Sequence, residues 1–156
     1  DSEFGEELSL ILDGGPCEVG IESTVVDLTT DQPVLLRPGG INRERIESII
    51  GGIVSAKQST PVKSPGMLER HYAPSKKMRL NAKVASEDEA LLAYGPGAPK
   101  GALNLSIEGD LVEAAANLFS MLRELEMSHH SGIAVMPIPK TGLGVAINDR
   151  LRRAAT

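Results

Sequence analysis

Residues 64–74, Ser-Pro-Gly-Met-Leu-Glu-Arg-His-Tyr-Ala-Pro, constrain this chain more than any other stretch. Two prolines and a glycine prevent it from running as a helix or a ladder strand, so it has to part whatever precedes it from whatever follows. Pro65-Gly66 reads as a turn, with proline presetting φ and glycine free to take φ > 0. Pro74 biases Ala73 toward extended backbone, which sends the side chains of His71 and Tyr72 to opposite sides of a strap. The plainer alternative is a spacer whose Met67, Leu68 and Tyr72 dock on a neighbouring surface.

Before the strap, the apolar run Leu8–Leu12 ends at Asp13-Gly14-Gly15-Pro16 and reads as a buried strand meeting a turn. Thr24–Leu28 and Pro33–Arg37 carry the β-branched content of two further strands, and the four residues Thr29–Gln32 between them have hairpin length. Asn42 is an N-cap candidate for a helix through Ile50, with Ile46, Ile49 and Ile50 as its apolar stripe and Gly51-Gly52 as its stop. From Ser55 to Ser64 the chain is polar.

After the strap, strand candidates are Lys76–Leu80, Ala90–Tyr94, Ala102–Leu105 and Gly132–Met136. The clearest helix follows Asp110, paired with Glu113 as in a capping box, with Leu111, Ala115, Leu118, Leu122 and Leu125 on one face. A last helix covers Val145–Ala155, its Arg150, Arg152 and Arg153 placed where the dipole favours cations. Strands alternating with helices predict a small, largely parallel α/β layer here. The organisation predicted is 1–60, a linker at 61–76, and 77–156.

Composition removes several function classes. Aromatic residues make up 3% of the 156 residues and tryptophan is absent, so the core is aliphatic and base stacking on exposed rings is a poor candidate. A net charge of −5 argues against a broad nucleic-acid footprint. One cysteine excludes an internal disulfide and suits a cytoplasmic setting. No apolar run reaches the length of a membrane span.

Chemistry is offered at three places. Gly14–Thr24 exposes backbone amides at its glycines and places Ser23-Thr24 at the mouth of a strand, where hydroxyls can meet a small polar ligand. Leu36-Arg37-Pro38-Gly39-Gly40 puts a cation at a strand end before a glycine turn, and arginine's planar fork matches phosphate. The strap is the third. Each alone is as well explained by a turn, a surface arginine or a spacer.

Taken in order, Gly20-Ile-Glu-Ser-Thr-Val-Val-Asp27, Leu36-Arg-Pro-Gly-Gly40, the strap from Ser64-Pro-Gly-Met67 through Arg70-His-Tyr-Ala-Pro74, and Thr141-Gly-Leu-Gly-Val-Ala-Ile-Asn-Asp-Arg-Leu-Arg-Arg-Ala-Ala155 resemble the Sua5/YrdC family, the threonylcarbamoyl-AMP synthases. The resemblance implies the C-terminal remnant of a YrdC-like α/β catalytic domain, an interdomain linker, and a small Rossmann-like Sua5 C-terminal domain. It implies synthesis of L-threonylcarbamoyladenylate from threonine, bicarbonate and ATP with release of pyrophosphate, ahead of the tRNA machinery that installs t6A. By the same resemblance Ser23 contacts threonine, Arg37 contacts the ATP phosphates, and His71, Tyr72 and Arg70 reach the nucleotide from the strap, with Mg2+ accompanying ATP.

Two departures accompany the resemblance. The family's upstream Lys-x-Arg and Ser-x-Asn motifs are not in place, which implies a C-terminal part that is inactive alone, and Leu68 stands where similar proteins often carry lysine. The competing assignment is a non-catalytic α/β regulatory module that binds RNA or protein through its last arginines. Other candidates read as structural: Cys17 as a small buried residue, His129-His130 as complements to a helix C-terminus, Tyr94–Pro99 as a turn, and Asn148-Asp149 as a solvated helical face.

Overall fold

Hairpin chemistry starts the fold. In the computed structural model, which describes residues 8–15, 17–56 and 73–156, β1 (Val25–Asp27) and β2 (Val34–Arg37) pair antiparallel, Val25 opposite Arg37. The connection is tightened by Asp27, whose carboxylate accepts from the Thr29 amide and hydroxyl. Asn42 caps α1 (Arg43–Ile50) by accepting from the Arg45 amide at 2.9 Å, and Gly51, at φ 83°, stops it. A short β3 (Val54–Ser55), which the polar composition of that stretch concealed, lies parallel beside β2.

The predicted stripe on α1 does not serve as a buried face. Ile49 is 74% exposed, and no α1 residue is buried. The helix is instead tethered by polar bonds: Arg43 donates to Glu47, to the Ile53 carbonyl and to Ser55, while Glu47 accepts from the Ile53 amide. Leu8–Leu12 is likewise no buried strand. Leu10 and Leu12 are exposed and the run joins neither sheet, because apolar content does not make a strand without a neighbouring backbone to pair its amides and carbonyls.

The second sheet, predicted to be largely parallel, is wholly so. It comprises β4 (Lys77–Arg79), β5 (Glu89–Ala93), β6 (Leu103–Asn104) and β7 (Gly132–Val135) in the order β4-β7-β5-β6. Every residue of β7 is buried, which fits a central parallel strand with the sequence Gly-Ile-Ala-Val. Helix α2 (Leu111–Met127) crosses from β6 to β7 and turns Ala114, Ala115, Leu118, Leu122 and Leu125 inward. Helix α3 (Leu143–Ala154) packs on α2 and adds Ala146, Ile147 and Leu151 to the same core.

Both termini of α2 differ in detail from expectation. Asp110 does cap it, accepting from Val112 and Glu113, but the reciprocal half of the box is replaced. The Asp110 amide donates to the hydroxyl of fully buried Ser106, which in turn donates to Glu113. At the other end the C-terminal carbonyls are claimed by Lys76, whose Nζ donates to Leu125 O at 3.0 Å and Ser128 O at 2.6 Å. An ammonium with three donors, from the residue just before β4, supplies a cation at that helix end. The rings of His129 and His130 stack on each other at 4.0 Å.

The N-terminal segment joins the second layer's core. Ile21 is 7% exposed within the cluster that holds Leu92, Leu118 and Ile147, and Val19 packs against it. Between them Gly20 lies on α2, where an added Cβ would stand 2.8 Å from the Ala115 carbonyl oxygen.

Candidate functional site

The hairpin register brings together two of the residues singled out by sequence. Because Val25 faces Arg37, the residues just before β1 lie beside those just after β2, and Ser23 meets the Arg37 guanidinium. Arg37 Nε donates to the Ser23 carbonyl at 3.1 Å and Nη2 to its hydroxyl at 3.3 Å. Ser23 is exposed and Arg37 half-buried, so a hydroxyl and a cation are offered side by side at the surface. Arg70, His71 and Tyr72 lie outside the described residues.

The loop after Arg37 is stitched to the loop before Val25. Gly40 donates to the Glu22 carbonyl at 2.9 Å, Ile41 donates to the Thr24 hydroxyl at 3.2 Å, and that hydroxyl donates to the Ile41 carbonyl. Gly39 is needed by close approach. A Cβ there would fall 2.3 Å from Glu22 O and 2.4 Å from the Ser23 carbonyl carbon.

A third element reaches this place from far along the chain. Arg150, on α3 and only 4% exposed, donates from Nε to Glu22 Oε2 at 2.7 Å, from Nη1 to Asp149 Oδ2 at 2.7 Å and from Nη2 to the Pro38 carbonyl at 3.2 Å. Burial works to raise the Glu22 pKa, but the Arg150 hydrogen bond, aided by the charges of Arg150 and Arg37, outweighs it and holds this carboxyl below its ordinary range. Asp149, 6% exposed, also accepts from Arg152 and Arg153.

These contacts correct three expectations. Arg150 is not a solvated complement to the helix dipole, and Asp149 is not on a solvated face. A buried arginine needs carboxylates around it, and these two residues satisfy each other. Asn148 spends its amide on the Ile138, Pro139 and Gly144 carbonyls, fixing the turn into α3. Cys17, expected to be buried, is exposed, and the chain enters the core after it, at Val19 and Ile21.

The seam between these loops and α3 is closed. The hollow left among Thr24, Pro38, Gly39, Val145 and Ala146 is about 10 Å³, room for no more than one water. A larger hollow of about 550 Å³ lies elsewhere, at the amino ends of β5 and β6, with Glu124, His130 and Leu91 in its walls. Sequence reasoning passed over it, because its lining comes from four separated stretches. Among the described residues no group of three or more His, Cys, Asp or Glu is placed to hold a metal, and no helix is long and apolar enough to cross a membrane.

Comparison with known proteins gives this geometry a context. Residues 41–156 match the family model described as threonylcarbamoyl-AMP synthase, C-terminal domain, and residues 1–39 match the Sua5/YciO/YrdC model, described as telomere recombination. The threonylcarbamoyl-AMP synthase of Pyrococcus abyssi is 37% identical over 174 residues, covering 98% of this chain and 51% of that protein. The Bacillus subtilis synthase is 35% identical, covering 93% and 48%.

Among solved structures, P. abyssi Sua5 complexed with L-threonine superposes with a TM-score of 0.83 at 34% identity, over 99% of this chain and 51% of that one. A variant of P. abyssi Sua5 with a consecutive His and Tyr changed to alanine superposes at 0.73 and 29%, over 92% and 47%. The chain spans about half the length of the curated relatives it matches. By the family model that matches most of its length, the chain belongs to the Sua5 threonylcarbamoyl-AMP synthase C-terminal domain family.

Proposed function

We propose that this chain forms part of an L-threonylcarbamoyladenylate synthase, which joins threonine, bicarbonate and ATP and releases pyrophosphate on the way to t6A in tRNA, in the cytoplasm. The observation that carries the reading is the Ser23–Arg37 pair, a hydroxyl and a guanidinium held side by side at the open end of a hairpin. In this reading Ser23 takes threonine or its carbamoylated form, Arg37 takes the ATP phosphates, and Arg70, His71 and Tyr72 fold over the nucleotide. His71-Tyr72 is the one consecutive His-Tyr in this sequence, and such a pair is what was changed in one of the solved relatives.

Carboxylation and adenylyl transfer both develop anionic oxygen, so a fixed cation beside a donor lowers the barrier in a water-poor cleft. A strap that closes shields a labile carbamate from water. Mg2+ would accompany the triphosphate, whose oxygens would hold it and whose charge it would offset. The division at 61–76 and the inactivity of this chain alone belong to the same proposal.

A module that binds RNA through its last arginines is less well supported. Arg150 is buried and Arg153, 19% exposed in its side chain, is paired with Asp149, so of the three last arginines Arg152, 68% exposed, is the one that turns its charge to solvent, too small a footprint for nucleic acid.

Calorimetric titration of the full-length gene product tests the reading. Arg37→Ala weakens ATP binding about ten- to a hundredfold, the worth of one or two charge-assisted hydrogen bonds, with a smaller effect on threonine. Ser23→Ala does the reverse. Unchanged affinities in both variants would remove the assignment of this pair.

A further inference from the structure

Arg150 touches the residue next to each member of the candidate pair. Glu22 precedes Ser23 and Pro38 follows Arg37, and the guanidinium reaches the first from Nε and the second from Nη2. One rigid planar group therefore spans both chain segments at their point of exit from the hairpin. Its third edge is anchored to Asp149, itself held by Arg152 and Arg153, so the group has little freedom to swing. The interlock is largely closed to solvent, with Arg150 4% and Asp149 6% exposed and the Glu22 side chain 26% exposed, and the adjoining seam has space for one water at most.

A fold could close this seam with aliphatic residues, and a buried ion pair is seldom the most stabilising choice. What an arginine fork adds is a fixed distance between two acceptors. Here those acceptors flank a hydroxyl and a cation whose separation matters if both meet one substrate pair.

We infer that Arg150 is a positioning residue: through Glu22 and Pro38 it fixes the spacing and orientation of Ser23 and Arg37, making α3 a working part of the site. This rests on the functional reading above, and its structural half can be tested apart from it. Asp149 acts behind Arg150 as the anchor that keeps the fork aimed.

The test compares Arg150→Lys with Ile133→Val in the full-length gene product. Lysine keeps the charge but cannot span both acceptors, whereas Ile133→Val removes one methylene from the buried β7, which supplies none of the residues lining this seam. In Arg150→Lys the KM values for threonine and ATP both rise roughly ten- to a hundredfold, as expected for sub-ångström misplacement of binding groups. In Ile133→Val they stay put, even though its melting temperature falls.

A second readout needs no turnover. The Arg37 Nε–H resonance and the hydrogen-exchange protection of the Gly40 amide, which donates to Glu22, both change in Arg150→Lys and not in Ile133→Val. If Arg150→Lys does not fold, Glu22→Gln, which loosens one arm only, shows the same pattern at smaller size. Wild-type KM values in the folded variant, or unchanged Arg37 and Gly40 signals, overturn the inference. Lack of turnover in the unsubstituted protein strikes the functional reading instead, and the resonance data then decide the positioning role alone.

Discussion

Replacing Gly39 by alanine tests how tightly the two loops of the site are joined. The new Cβ would sit 2.3 Å from Glu22 O, 2.4 Å from the Ser23 carbonyl carbon and 2.5 Å from Thr24 N. All three are main-chain atoms, so no rotamer change relieves the overlap. Restoring contact distances near 3.5 Å requires the 22–24 backbone to withdraw by about 1 Å. That withdrawal stretches the Gly40–Glu22 and Thr24–Ile41 hydrogen bonds and pulls Glu22 from Arg150.

Overpacking of this kind costs about 1–3 kcal/mol, and the weakened hydrogen bonds add about 1 kcal/mol, giving about 2–4 kcal/mol. For a chain of this size that is a fall in melting temperature of roughly 4–16 °C. Circular dichroism melts of Gly39→Ala and Gly52→Ala provide the comparison. Gly52 has nothing within 4 Å of its hypothetical Cβ, so its variant melts within a degree or two of the parent. Equal melting of the two variants would refute the close approach and the account of the loop built on it.

Two further outcomes follow from contacts outside the site. Lys76→Met strips the donors from the last carbonyls of α2 and costs about 1 kcal/mol, read by urea denaturation, with faster amide exchange confined to the last turn; an unchanged midpoint contradicts the capping role. Hydrogen bonds from Arg79, helped by the Ser86 amide, hold the Glu89 carboxyl at about 2. A depressed carboxylate pKa contributes stability above its unfolded value of 4.5 and loses it as pH falls toward 2, so Glu89→Gln flattens the acid limb of the stability curve in that window. An acid limb of unchanged slope would show that another group dominates it.

Local signals were legible in the sequence and distant pairings were not. Asn42 and Asp110 cap their helices because capping is settled within three residues, and the hairpin of β1 and β2 follows from its short polar loop. The parallel sheet follows from strands rich in small aliphatics placed around a long crossover helix. Ser23 and Arg37 could be singled out as residue types, and the hairpin register made them neighbours.

Arg150 could not be read this way, since its partners Glu22 and Pro38 lie 128 and 112 residues away. An Asp-Arg pair on a helix looks solvated until something is known to cover it. The same blindness explains Lys76, whose acceptors stand 49 and 52 residues on, and Leu8–Leu12, where apolar content implied burial with no neighbour to provide it.

Pyrophosphate release by the full-length gene product tests the central claim most directly. With ATP alone it should be negligible, it should appear only when L-threonine and bicarbonate are both supplied, and Arg37→Ala should reduce it by at least an order of magnitude, the worth of about 1.4 kcal/mol. Release that ignores threonine, or that persists undiminished in Arg37→Ala, would contradict a site built on the Ser23–Arg37 pair.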